Sequence, residues 1–317
     1  MNSSLQFDSH SVRVLDGGLA TELERRGCDL SGPLWSAHIL DSSPQIVAQV
    51  HLDYLRAGAD CISTAGYQIS ALGYVEIGRT ARDAADAMRQ SVEIAGGARE
   101  EYRGESDRRV FVAASLGPYG AALHNGAEFH GRYDISFQEL VRFHSERLAI
   151  VADTEADMVA LETVPSLVEA RAITKALEQF PSMAAWVSFT CKDHHAVAHG
   201  EPIAQCAALL DDAPQVMAIG VNCTQPRFVS SLIVQIKTAS SKPVFVYPNS
   251  GELWNAESRS WVGTAKHGLS DIVDYGRLAA EWYMAGAQAV GGCCRTTPAH
   301  IRAVRASADA VAGLRLE

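Results

Sequence analysis

Eight short apolar runs rich in β-branched residues alternate with amphipathic stretches along almost the whole chain. This constrains the fold more than any other feature. Strands separated by helices pair in parallel, and a series of such units builds an α/β layer or barrel. The runs are VRVLDGG from Val12, DCISTAGY from Asp60, VFVAASLGPYG from Val110 and DMVALETVP from Asp157. They continue with AAWVSFT from Ala184, VMAIGVNC from Val216, KPVFVYPNS from Lys242 and AQAVGGCC from Ala287.

The intervening stretches carry helix-start chemistry. Ser43 precedes Pro44 as an N-cap before a first-turn proline, and Ser136 with Glu139 has the spacing of a capping box. Thr297 and Pro298 open the last helix in the same way as Ser43 and Pro44. Three helix-to-strand joins, RAGADCIS, DTEADMVA and MAGAQAVG, resemble one another as a weak internal repeat. Eight such units in 317 residues predict a single-domain (β/α)8 TIM barrel over residues 11–317, preceded by a loose polar tail at residues 1–10. An open doubly wound sheet is the alternative. It would want G-x-G-x-x-G after its first strand, where this chain has LDGGLATELE.

Composition narrows the function. The net charge of −10 disfavours nucleic acid as a partner, and no apolar run is long enough to span a bilayer. MNSSLQFDSH lacks the basic and apolar regions of a secretory signal. Seven cysteines, odd in number and irregularly spaced, argue for a reducing cytoplasm rather than a disulfide framework.

In a barrel of this kind the active site forms at the C-terminal ends of the strands. Read in order, those ends carry Asp16; Ser63 and Thr64, with Tyr67 just after; Ser115 and Gly117; Glu162 and Thr163; Ser188 and Thr190; Asn222 and Cys223; Asn249; and Cys293 with Cys294. The adjacent pair in GGCC is compatible with packing, with a redox couple or with two ligands for one soft metal. Cys223 at the end of the sixth strand adds a third thiol to the same rim, and that combination favours a metal. Three thiolates and an open fourth position suit zinc, and a substrate thiol could fill that position. An iron–sulfur cluster would normally want a fourth cysteine. Cys28, Cys61, Cys191 and Cys206 read as packing residues. His194, His195 and His199 read as an exposed loop after strand five. The GAEFHGRYD stretch, with Glu128 and Tyr133, reads either as a cover over a second substrate or as a plain ordered loop.

Together these residues resemble the homocysteine S-methyltransferase family. GVNC with a later GGCC, DGG near the start and ET on the fourth strand carry the resemblance, which runs from about Val14 to about Ala306. LDGGLATELERRGCDL, LWSAHIL, SLGPYGA, VSFTCKD, VYPNSGE and GGCCRTTPAHI are similar to its short, S-methylmethionine-using branch. The resemblance implies one zinc per chain on Cys223, Cys293 and Cys294, with the homocysteine sulfur as fourth ligand. It implies Glu162 and Asp16 as the catalytic-site carboxylates that hold the amino acid. Asn249 matches a residue that occupies the fourth metal position without substrate in some relatives. Trp35 and Tyr67 match aromatic positions around the onium donor, although simple rim packing accounts for them equally well. Thr64 and Ser115 are placed with these as substrate-binding residues.

The implied reaction is methyl transfer from S-methylmethionine to L-homocysteine, giving methionine, in the cytoplasm, by a monomer or homodimer. S-Adenosylmethionine is the second donor considered. Betaine ranks lower because betaine-using relatives are longer at the C-terminus, and cobalamin-dependent transfer lacks the domains it needs. A zinc hydrolase on the same rim, or a non-catalytic thiol protein, are the rival classes. Selenohomocysteine as an acceptor is left open.

Overall fold

The computed structural model describes residues 12–30, 32, 34, 37–251, 253–255, 260–262 and 271–314. The sequence-stretch assigned to a tail, residues 1–10, and Trp35 lie outside the described residues. All eight expected strands are present: β1 (Arg13–Val14), β2 (Cys61–Ser63), β3 (Phe111–Leu116), β4 (Met158–Val164), β5 (Ala185–Phe189), β6 (Val216–Asn222), β7 (Val244–Tyr247) and β10 (Ala289–Val290). They pair in parallel in the order β1-β10-β7-β6-β5-β4-β3-β2. A parallel bridge between Leu15 and Cys61 joins the two ends of that order, so the sheet closes on itself as a (β/α)8 barrel. An antiparallel ribbon of β8 (Leu253–Asn255) and β9 (Ser260–Val262), which sequence periodicity does not reveal, is inserted between β7 and β10.

The period-2 alternation of each strand sorts its side chains into two layers. Val112, Ala114, Leu116, Val159 and Leu161 face outward and join the core beneath the helices. Phe111, Ala113, Met158, Ala160, Trp186, Ala218, Phe245, Tyr247 and Ala289 form a separate cluster that fills the barrel, small residues beside large ones. The Trp186 ring meets Phe245 at 5.5 Å and Tyr247 at 6.5 Å, both edge-on. Continuing the inward parity places Ser115, Glu162 and Ser188 one step on, and Asn222 two steps on past Gly220, at the mouth. The strand pattern therefore aims these polar residues into the site.

Eight principal helices cover the barrel: α3 (Pro44–Ala57), α5 (Ala81–Arg103), α7 (Phe137–Ala152), α8 (Leu167–Leu177), α9 (Ile203–Asp211), α10 (Pro226–Ala239), α11 (Ile272–Ala285) and α12 (Pro298–Leu314); the short helices α1 (Leu19–Arg25), α2 (Ala37–Ser42), α4 (Ala71–Glu76) and α6 (Tyr119–Ala122) lie in the connections. Ser136 and Glu139 form the expected capping box on α7, and Thr80 with Asp83 forms another on α5. Ser43 occupies the N-cap position of α3, but its side chain makes no capping bond. At α12 the Thr297 N–H donates to His300 Nδ1 at 3.2 Å, so an imidazole takes the place of the usual Glu or Gln. Among the described residues no helix is long and apolar enough to cross a membrane.

Candidate active site and metal centre

The rim brings Cys223, Cys293 and Cys294 together, with their three Sγ atoms within 4.8 Å of one another. Cys223 Sγ lies 3.8 Å from Cys294 Sγ, and Cys293 Sγ lies 4.0 Å from it. Cys223 follows β6 directly and turns into the site with a positive φ of 49°. Cys293 and Cys294 follow β10 and are pinned by the segment after β7: Cys293 N–H donates to Pro248 O at 2.8 Å, and Ser250 N–H donates to Cys294 O at 3.1 Å.

The glycines of GGCC are needed for close approach. A Cβ on Gly291 would fall 2.6 Å from Asp16 O, and one on Gly292 would fall 2.3 Å from Thr296 Oγ1.

The donor set fits a soft metal. The three thiols are partly buried and unbridged. Hydrogen bonds from Cys223 and Cys293 hold the Cys294 thiol well below its ordinary range. Beside them Asn249 is buried, and its Oδ1 has no hydrogen-bond partner among the described residues. Asn249 is the residue that the family resemblance places at the metal's fourth position. No other cluster of this kind occurs among the described residues. His194 packs against Phe228, His195 bonds Gln235 at 3.1 Å, and His199 bonds Glu201 at 3.0 Å, so the histidine loop is committed elsewhere. Cys61, Cys191 and Cys206 are buried and Cys28 packs against the core, as packing residues would.

Two carboxylates face this cluster. Glu162 accepts from Ser115 Oγ and from the Tyr247 hydroxyl, while burial pushes its pKa up to about 7, with the Cys293 charge adding to the rise. Thr64 Oγ1 accepts from the Ser115 N–H at 3.1 Å and so fixes the residue that fixes Glu162. Asp16 accepts from the Ser63 N–H at 2.7 Å. Burial holds the Asp16 carboxyl well above the usual range, and the charge of Glu162 raises it further. Tyr67 is hydrogen-bonded to Thr163, and burial together with the nearby charges of Glu128, Cys223 and Glu162 raises its phenol well above normal.

The inward strand ends thus converge as expected, with Trp35 outside the described residues. Sequence reading missed Tyr247. Its hydroxyl accepts from Trp186 Nε1 at 2.9 Å, which leaves the phenolic proton for Glu162. The signal was available: Tyr247 shares the inward parity of Phe245 and ends β7.

Comparison with known proteins agrees with this geometry. The family model described as homocysteine S-methyltransferase matches residues 13–308. A homocysteine S-methyltransferase of Bacillus subtilis, YbgG, is 44% identical over 305 residues, covering 95% of each chain. A selenocysteine Se-methyltransferase of Brassica oleracea is 42% identical, covering 92% of this chain and 87% of its own. Among solved structures, the metallated form of the homocysteine methyltransferase MmuM from Escherichia coli superposes with a TM-score of 0.84 at 38% identity, over 93% of this chain and 96% of that one.

Proposed function

The chain belongs to the homocysteine S-methyltransferase family, and from that membership we propose that it transfers a methyl group from a sulfonium donor, S-methylmethionine, to the sulfur of L-homocysteine, yielding methionine. The observation that carries this reading is the convergence of three thiols on one rim opposite the Glu162–Asp16 carboxylates. We assign Cys223, Cys293 and Cys294 as holding one zinc ion, which soft sulfur donors prefer over hard cations. When bound, zinc lowers the pKa of a thiol taken into its open position, so that the acceptor sulfur is a thiolate at neutral pH.

Glu162 is aimed at the acceptor's ammonium. Ser115 and Tyr247 donate to it and favour its ionised form, and an arriving ammonium would do the same. Asp16, held by Ser63, stands on the other side of the amino acid. Asn249 offers its unpartnered Oδ1 until the acceptor sulfur arrives. Tyr67 belongs to the donor side, where ring faces suit an onium charge, and the family resemblance assigns Trp35, which lies outside the described residues, to the same role.

In the transfer, the acceptor sulfur forms a bond to the donor's methyl carbon. The donor's S–CH3 bond breaks, and its electron pair returns to sulfur as a neutral thioether. The acceptor's proton goes to solvent. The protein chiefly aligns the three atoms and shields them from water. The free thiols fit a reducing compartment, and we read the cytoplasm as the place of action.

The test is methionine formation from homocysteine with S-methylmethionine, S-adenosylmethionine or betaine in turn, alongside the metal content of the purified enzyme. S-Methylmethionine is expected to support the fastest transfer, with one zinc per chain. No methionine from any donor would overturn the reading.

A further inference from the structure

Two carboxylates outside the acceptor site lie in or beside the loop after β3, and their contrast is informative. Glu169, on α8, is fully buried and fully engaged: it accepts from the Tyr119 N–H at 2.6 Å and from the Tyr133 hydroxyl, and its Oε1 lies 3.0 Å from His144 Nε2. It anchors both ends of the loop to the barrel. Glu128, in the 3-10 turn Ala127–Phe129, is the opposite case. Its side chain is partly buried, and Oε2 has no hydrogen-bond partner among the described residues. Burial pushes its carboxyl up to about 7.

The loop does not leave this carboxylate at a random place. A Cβ on Gly120 would fall 2.4 Å from the Glu128 backbone nitrogen, and one on Gly117 would fall 2.9 Å from Cε2 of the Tyr67 ring. Glu128 and Tyr67 therefore press on the same Gly117–Gly120 turn. Arg147 stiffens that turn by donating to Gly117 O at 2.5 Å and to Tyr67 O at 3.0 Å. The 3-10 turn also packs on β4, the strand that ends in Glu162 and Thr163. The Glu128 charge reaches the Tyr67 phenol and raises it, and its own backbone N–H is the sole bond that steadies the carboxylate among the described residues. A desolvated carboxylate whose Oε2 has no partner there is unfavourable unless a cation arrives.

We propose that Glu128 receives the α-ammonium of the methyl donor and selects amino-acid sulfoniums over onium donors that lack an amino group. The assignment rests on the functional reading above, in which the donor is such a cation. The ammonium is a better match than the sulfonium. Sulfonium charge is lost as the methyl group leaves, so a carboxylate against it would stabilise the ground state more than the transition state and slow the reaction. The ammonium keeps its charge throughout, so pairing it contributes uniform binding.

The experiment uses Glu128→Gln, with S-methylmethionine and its deamino analogue 4-dimethylsulfoniobutanoate as donors, the latter as a competitive inhibitor if its turnover is slow. The variant is expected to raise the KM for S-methylmethionine about 10- to 100-fold, the range for losing a buried hydrogen bond to a charged group, with the effect on kcat much smaller. The constant for the deamino analogue and the KM for homocysteine are expected to stay within about twofold. Thermal stability without substrates is expected to hold or rise, because a desolvated charge is removed. An unchanged KM for S-methylmethionine, an equal rise for both donors, or a fall in stability would each overturn the assignment while leaving the proposed reaction in place. A wild-type enzyme that makes no methionine from S-methylmethionine would remove both.

Discussion

Asn222 closes a ring of two hydrogen bonds on Thr163: the Thr163 N–H donates to Asn222 Oδ1 at 2.8 Å, and Asn222 Nδ2 donates to Thr163 Oγ1 at 2.8 Å. Thr163 has a φ of +60°, a conformation that costs a β-branched residue about 1–2 kcal/mol or more. The ring holds it there. Glu162 precedes Thr163 and Cys223 follows Asn222, so one contact ties the carboxylate strand β4 to the thiol strand β6 across β5. Asn222→Ala is expected to lose about 2–3 kcal/mol in urea unfolding, for two buried hydrogen bonds. It is also expected to lose activity under conditions where it remains folded. Wild-type kcat/KM in a destabilised Asn222→Ala protein would mean that the ring supports the fold alone.

Cys223→Ser and Cys294→Ser are each expected to lose bound zinc and methyl transfer together while the circular dichroism of the barrel persists. The fall in activity should exceed the roughly 10- to 100-fold typical of a residue that only supports a ligand. Cys206→Ser is the control, since Cys206 is buried in α9 and belongs to the core. It is expected to keep its zinc and lose only stability. Full zinc and full activity in Cys294→Ser would refute the metal assignment.

Tyr247→Phe removes a donor from Glu162 and leaves Trp186 Nε1 without its acceptor. The expected results are a rise of about tenfold in the KM for homocysteine, an unchanged KM for the methyl donor, and a loss of about 1–3 kcal/mol in stability. Steady-state kinetics with each substrate varied in turn separates these. A change confined to the donor would contradict the placement of Glu162.

His51 on α3 is fully buried, and neither ring nitrogen has a hydrogen-bond partner among the described residues. Burial lowers its pKa from 6.5 to about 4. The folded state therefore refuses a proton that the unfolded state accepts, and stability present above pH 6.5 is lost as pH falls toward 4. At pH 4.5 the loss from this group amounts to about 2–3 kcal/mol. The carboxyls of Glu128, Glu162 and Glu169 are raised and act in the opposite direction over the same range. The measurement is consequently the difference between His51→Leu and wild type in urea midpoints at pH 7 and pH 4.5. The variant is expected to lose less on acidification. Parallel losses would show that His51 does not titrate in this way.

Much of this was legible from residue patterns because the relevant forces are local or periodic. Alternating runs such as VFVAASLG and DMVALETV mark buried parallel strands, and the capping box of Ser136 and Glu139 marks a helix start. Reading the residue at each strand end was enough to collect Cys223, Cys293, Cys294, Asp16, Glu162 and Asn249 on one rim, since a closed barrel puts every strand end there. Other features depended on which side chains meet across several strands. The role of Tyr247 required knowing that Trp186 takes one side of its hydroxyl. The β8–β9 ribbon carries no long periodic signal, and its three-residue strands fall below what alternation can distinguish.

The sequence by itself determined the number of βα units, the order of the polar strand ends and the thiols available to a metal. These follow from backbone periodicity and hydrophobic burial, which act over a few neighbouring residues. Only the tertiary structure decided that the three Sγ atoms lie within 4.8 Å of one another, that Asn222 clamps Thr163, and that Glu169 is satisfied while Glu128 Oε2 has no partner among the described residues. Those outcomes depend on hydrogen bonds and desolvation between segments distant in the chain. Burial makes them strong, and no local pattern of residues encodes which partners will meet.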